Sequence, residues 1–211
     1  LGTTNLLLAF GEVRTKSKKF IYASTGGALY GDPAKIPADE KTAIEPLSPY
    51  GLSKYLAERA ITFHAKENGF TYLLLRYSNV YGPRQNAKGE AGVVAIFSGL
   101  MKHGERPTIF GDGSKTRDYV YVGDVVRANV LGLTRGKDIA VNIGTGKQTS
   151  DQKIFDEIAK SLDYAGGARY APFRPGEVNH ISLNPQLAKK ILGWEPRMNI
   201  REGIRKTALT F

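Results

Sequence analysis

Two short apolar runs, KKFIYAS at 18–24 and YLLLRY at 72–77, constrain this chain more than any other feature. Each has the length and composition of a buried strand and ends in small or polar residues. Between them lie a Gly-, Pro- and Asp-rich loop over 25–49 and a helical stretch over 50–68. That stretch opens on Ser48-Pro49 and stops at Gly69, the expected capping order. Strand, loop, helix, strand is the unit of a parallel sheet. The rest repeats the alternation. Helices are predicted over 2–12, 93–103, 124–135 with Asp124 as cap, 149–162, 185–192 and 200–210. Short strands are predicted over 108–110, 118–122, 140–143, 169–170 and 181–183. The chain is α/β throughout, and an open parallel sheet binds ligands at the carboxyl ends of its strands. Those ends are Ser24-Thr25, Ser78-Asn79 and Gly144-Thr145.

Composition removes the competing classes. A chain of 211 residues, 41% hydrophobic and 24% charged, is globular rather than disordered or collagenous. It has no cysteine, so disulfides and thiolate metal sites are excluded. No apolar run approaches the length of a membrane span, and residues 1–10 do not read as a signal peptide. His64, His103 and His180 lack metal-ligand spacing, so no metal site is expected. A net charge of +10 suits an anionic partner. The basic residues are scattered, however, and the densest cluster, Lys16, Lys18 and Lys19, is too short for a nucleic-acid arm. No nucleic-acid partner is expected.

Tyr50 and Lys54, four apart at a helix start, share a face. An ammonium near a phenol favours phenolate and makes it a usable acid/base at neutral pH. Alone, the pair reads rather as a surface tyrosine beside a solvated lysine. Its context is a strand ending in Ser24-Thr25, whose hydroxyls could meet the same substrate oxygen.

This Ser/Thr, Tyr and Lys set resembles the short-chain dehydrogenase/reductase superfamily. The runs YASTGGALYG (22–31), SPYGLSK (48–54), LRYSNVYGPRQ (75–85), GEAGVVAIF (89–97), IFGDGSKTRDYVYV (109–122), NIGTG (142–146), RPGE (174–177) and LGWEP (192–196) extend the likeness along essentially the whole chain. They resemble the extended branch, the NAD-dependent nucleotide-sugar epimerases. The resemblance implies the C-terminal part of a Rossmann-type doubly wound parallel sheet with a smaller α/β substrate-binding domain. Residues 1–80, joined by 118–145, would be what remains of the NAD-binding domain. Residues 81–117 and 146–211 would mainly bind substrate.

It further implies Tyr50 as acid/base, Lys54 as its pKa modulator and ribose anchor, and Thr25 with Ser24 on the reacting oxygen. Tyr50, Lys54, Ser24 and Tyr77 would border NAD. Asn79, Arg117 and Arg174 would hold the diphosphate of a UDP-sugar, Glu177 its ribose, and the region of Ile109 and Phe110 its uracil. A cytoplasmic homodimer is implied, with no membrane partner. Arg117 could instead pair with its neighbour Asp118, and Arg174 could simply hold a turn. Gly111-Asp112-Gly113 and Gly144-Thr145-Gly146 read as turns rather than ligand loops. Tyr22, Tyr72 and Tyr81 read mostly as core.

The departures are equally specific. The family's G-x-x-G-x-x-G loop, which holds a pyrophosphate at a helix N-terminus, is absent from the 211 residues. The chain is expected to represent about the C-terminal two-thirds of a family-length enzyme, which leaves a sheet edge exposed. Sugar-nucleotide dehydratases carry Thr-Asp-Glu where this chain has Thr25-Gly26-Gly27, which argues against dehydration. Asn184 stands for a usual Asp before a late helix, and reads as a cap.

Overall fold

A computed structural model describes residues 2–15, 17–88 and 92–211. Lys16 and the first three residues of the 89–97 run lie outside them. The first half contains α1 (Gly2–Glu12), β1 (Lys19–Thr25), α2 (Pro49–Asn68), β2 (Thr71–Tyr77), β3 (Asn79–Tyr81) and α3 (Val93–Lys102). Next come β4 (Thr108–Phe110), β5 (Thr116–Arg117), β6 (Tyr119–Tyr121), α4 (Val122–Gly132) and β7 (Ile139–Ile143). The chain closes with β8 (Thr149–Ser150), α5 (Asp151–Ser161), β9 (Arg169–Ala171), α6 (Gln186–Leu192) and α7 (Ile200–Ala208).

The principal sheet is β1-β2-β7, parallel throughout. Its register aligns Thr25 with Tyr77 and Tyr77 with Ile143. The three strand ends therefore finish level, at or next to the residues expected as strand ends. Alternation along β2 sends Leu74 and Arg76 to one face and Leu73, Leu75 and Tyr77 to the other. The first face packs on α1 and α2 through Leu7, Ile61, Ala65, Phe70 and Leu74. The second packs on α4 and α6 through Leu73, Leu75, Val125, Ala128, Leu192 and Trp194. A separate core forms between α3, α5 and α7 around Phe97, Ile154, Phe155, Ile158 and Ile204.

Helix α2 begins as its sequence predicts. Ser48 Oγ accepts from Gly51 N–H at 3.1 Å, Pro49 follows, and Gly69 closes the helix at φ 63°. Elsewhere the structure corrects the expectation. Helix α4 starts at Val122 after Tyr121, so Asp124 is not its cap. Asp124 lies buried in the first turn, where it pairs with Arg127 at 2.5 Å and accepts from Arg197 and Met198 N–H. Residues 149–150 form β8 rather than helix, antiparallel to β5, and Ser150 caps α5. Residues 181–183 are not a strand; Leu183 makes only an isolated bridge to Ala38. Helix α6 is entered through Pro185 rather than capped by Asn184, whose Oδ1 accepts from Gln186 N–H. Residues 79–81, not among the strands expected, form β3 and pair in parallel with β6. Such three-residue strands carry too little periodicity to be read. Tyr81 is core, whereas Tyr22 and Tyr72 are half-buried.

Candidate active site

Beyond the level ends of β1 and β2 lies a cavity of about 380 Å³. Thr25, Tyr50, Tyr77, Ser78 and Asn79 line it. A neighbouring cavity of about 240 Å³ is lined by Ile109, Phe110, Lys115, Asp151, Arg174 and Glu177. Asn79 and Arg117 line both cavities and stand between them. The structure thus brings nearly all the sequence-predicted residues into one two-part cleft.

At the sheet end, Tyr50 sits in the first turn of α2, 53% exposed. Lys54, one turn on, places its ammonium 5.9 Å from the Tyr50 ring centroid and 5.0 Å from that of Tyr22. Its Nζ donates to Ala23 O at 2.9 Å, which ties α2 to β1. Burial lowers the Lys54 pKa from the ordinary lysine value. Lys54 does not line the Tyr50 cavity. It borders a separate groove of about 420 Å³ with Thr3, Thr4, Tyr22 and Ser53.

Ser24 and Thr25 both border this cavity, but their hydroxyls differ in what they hold. Ser24 points under α2, where its Oγ donates to Glu58 Oε1 at 2.5 Å. Glu58 in turn takes Arg76 in a fork, at 3.0 Å from Nε and 2.7 Å from a terminal nitrogen. Arg76 also donates to Tyr30 OH, which donates to Asn142. Burial alone lowers the Arg76 pKa, but Glu58 and Tyr30 more than offset it and hold the group well above its ordinary value. The proton of Ser24 is committed to this network, which leaves Thr25 as the strand-end hydroxyl with its proton available to the cleft. Tyr77, on the opposite face, pairs with Asn129 at 3.0 Å, and burial raises its pKa.

The far part is charged. Lys115 is 5% exposed and ion-paired to Glu177. Arg174 stacks its guanidinium 3.5 Å from the centroid of Phe110 and lies 3.8 Å from Glu177. Arg117 donates to the carbonyls of Thr116 and Asn179, at 2.9 and 3.1 Å, and not to Asp118. Asp118 is instead taken by Thr145, Gly146 and Leu183 N–H and by the Thr145 hydroxyl. The 144–146 turn therefore spends its amides on a carboxylate of the chain, as a strand-end turn does. Gly111 and Gly113, at φ 92° and 85°, form the tight turn expected of them. Burial raises Asp151, opposed by Lys115 and Arg117. Three cations thus face two carboxylates around this cavity.

Glu58, Arg76 and Lys115 are not marked by any motif spacing read above. The available signals were weak: Glu58 is one turn beyond Lys54, and Lys115 is two residues before Arg117. Among the described residues no group of three acidic, His or Cys side chains could hold a metal. No helix among them is long and apolar enough to cross a membrane.

The arrangement is that of an α/β protein with a tyrosine and a lysine near the ends of a parallel sheet, beside a cavity in which three cations face two carboxylates. Residues 1–207 match the family described as GDP-mannose 4,6 dehydratase, and the chain belongs to that family. It is 49% identical over 98% of its length to a putative UDP-glucose 4-epimerase of Methanocaldococcus jannaschii, covering 66% of that protein. The UDP-glucose 4-epimerase of Thermotoga maritima, solved with UDP-glucose, superposes with TM-score 0.95 at 45% identity. That match covers 99% of this chain and 67% of the solved one. The Thermus thermophilus UDP-glucose 4-epimerase, solved with NAD, gives TM-score 0.92 at 38% identity, covering 100% and 68%. Less similar structures include a UDP-N-acetylglucosamine 4-epimerase at 28% and a UDP-glucuronic acid 4-epimerase at 29% identity. The chain spans just under two-thirds of the curated relative's length.

Proposed function

We propose that this chain carries the acid/base and substrate-binding part of an NAD-dependent 4-epimerase acting on UDP-glucose and UDP-galactose. The observation that carries the reading is a Tyr50–Thr25 cavity with no carboxylate among its described lining residues. A 4,6-dehydratase needs carboxyl groups beside the strand-end threonine. Here Gly26 stands there, and a Cβ on it would lie 2.5 Å from Leu183 Cδ1. Relatives solved with UDP-glucose and with NAD support the same reading.

NAD, when bound, supplies the acceptor and donor of a hydride. The residues present fit its nicotinamide end: Lys54 spends one donor on Ala23 and retains others for ribose hydroxyls beside the Tyr22 groove. No glycine-rich pyrophosphate loop occurs in these 211 residues. Tyr50 would take the proton from the sugar 4-hydroxyl in one direction and return it to the same oxygen in the other. The Lys54 ammonium favours phenolate at Tyr50. Thr25 hydrogen-bonds the reacting oxygen. Asn79, Arg117 and Arg174 hold the diphosphate, for which guanidinium groups suit bidentate contact. Glu177, held by Lys115, accepts from the ribose hydroxyls, and Phe110 and Ile109 flank the base. The sheet with α1, α2 and α4 serves the cofactor, and the α3–α5–α7 core carries the substrate cavity. Exposed Leu52, Leu56 and Phe63 on α2 support a homodimer through that helix, and a cytoplasmic setting fits the assignment.

The test is interconversion of UDP-galactose and UDP-glucose by the NAD-loaded protein, followed by product chromatography. Conversion is expected. Turnover of UDP-N-acetylglucosamine or UDP-glucuronate alone would move the assignment to another epimerase. UDP binding without any NAD uptake would reduce it to a substrate-binding module.

A further inference from the structure

Interiors pair nearly all their buried polar groups, so an exception asks for a reason. Among the described residues two buried side-chain polar atoms have no hydrogen-bond partner, Ser78 Oγ and Gln85 Oε1. Both residues line the same cavity, the one shared by Tyr50 and Thr25. The coincidence is informative because three neighbouring polar side chains in the lining are engaged: Ser24 by Glu58, Tyr77 by Asn129 and Arg117 by backbone carbonyls.

Both groups are positioned by backbone. Ser78 is 7% exposed, and its N–H donates to Ile143 O at 3.0 Å, which fixes it in the step from β2 to β3. Gln85 turns its amide nitrogen to Val80 O at 3.5 Å, so the oxygen is its uncommitted end. A serine hydroxyl both donates and accepts, and a glutamine carbonyl accepts. Together they complement a ring carrying several neutral hydroxyls.

Resting on the reading of this cavity as the sugar site, we propose that Ser78 and Gln85 bind hydroxyls of the hexose ring and set its orientation over Tyr50. Buried acceptors left unpaired without the sugar reject a ring lacking the matching hydroxyl.

The experiment is calorimetric titration of the protein with UDP-galactose and with UDP, for wild type, Ser78→Ala and Gln85→Leu, alongside thermal melts. Each variant should weaken UDP-galactose by about three- to tenfold and leave UDP unchanged. The melting temperature should hold or rise in Ser78→Ala, whose deleted oxygen has no protein partner, and change little in Gln85→Leu, which loses only the long contact of its amide nitrogen with Val80 O. Equal weakening of both ligands, unchanged UDP-galactose affinity, or a lowered melting temperature in both variants would overturn the proposal. A wild type that binds UDP-galactose no better than UDP would remove the sugar-site reading itself, and this proposal with it. Loss in the variants alone separates the two.

Discussion

The two parts of the cleft are held together by different means. Around Tyr50 the groups hang from strand ends in level register, and the strand-end serine is clamped by a buried Glu58–Arg76 pair beneath α2. Around Phe110 the groups come from loops far apart in sequence, joined by Lys115–Glu177 and by Arg174 stacked on an aromatic ring. The first arrangement is part of the core and fixes positions before any ligand arrives. The second sits at a rim, where Arg174 is 58% exposed, and its geometry depends on charge. The two parts of the cleft thus draw on separate reserves of the fold.

The sharpest contrast should come from Tyr50→Phe. Turnover should fall about 10²–10⁴-fold, with UDP affinity and melting temperature unchanged; a fully active variant would end the acid/base assignment. Next, Glu58→Ala leaves the Arg76 charge buried and unpaired, and should cost about 3–5 kcal/mol in urea unfolding. A loss below about 1 kcal/mol would show that the network does not brace the sheet end. Lys115→Met, in the other part, should act oppositely. It should weaken UDP by about tenfold while shifting the melting temperature little. If instead it unfolds the protein, the two parts are not separately held.

The smallest effect is expected beneath the charged part, at Glu157. This carboxyl joins Lys153 on α5, at 2.9 Å, to Arg201 on α7, at 3.3 Å. The Lys153 hydrogen bond is the main cause holding its pKa below the ordinary carboxylate value, with Arg201 helping. A depressed carboxyl pKa stabilises the native state above the unfolded-state value, and the gain is lost as pH falls through the folded one. Glu157→Gln should therefore cost less than about 1 kcal/mol at neutral pH, given its exposed partners. It should also flatten the acid limb of stability. An unchanged limb in pH-dependent melts would show that the link contributes nothing.

The same division governs what could be read from sequence. Helix α2, its Ser48 cap and its Gly69 stop follow local rules, and the structure reproduces them. Asp124 was misread because a carboxylate near a helix start suits a cap, whereas here it serves the backbone of residues 197 and 198. The Ser24–Glu58–Arg76–Tyr30–Asn142 network was invisible because its members are joined only across the sheet. Lys115–Glu177 spans 62 positions, and no local spacing announces such a pair. The unpaired oxygens of Ser78 and Gln85 are legible only once every other partner is known.

Gly51 carries a consequence for how this site can evolve. A Cβ there would lie 2.5 Å from Ala28 O and 2.9 Å from Pro46 Cβ. The obstacle at Ala28 is main chain, so it cannot step aside as a side-chain tip would. The phenol of Tyr50 therefore owes its position to the seating of one backbone on another. Even a methyl group at 51 would lift the helix start, and displacement of a reacting group by about 1 Å can cost 10²-fold in rate. The side chains of Leu52 and Ser53 are exposed and can change without lifting the helix start, whereas the glycine between them and the tyrosine cannot.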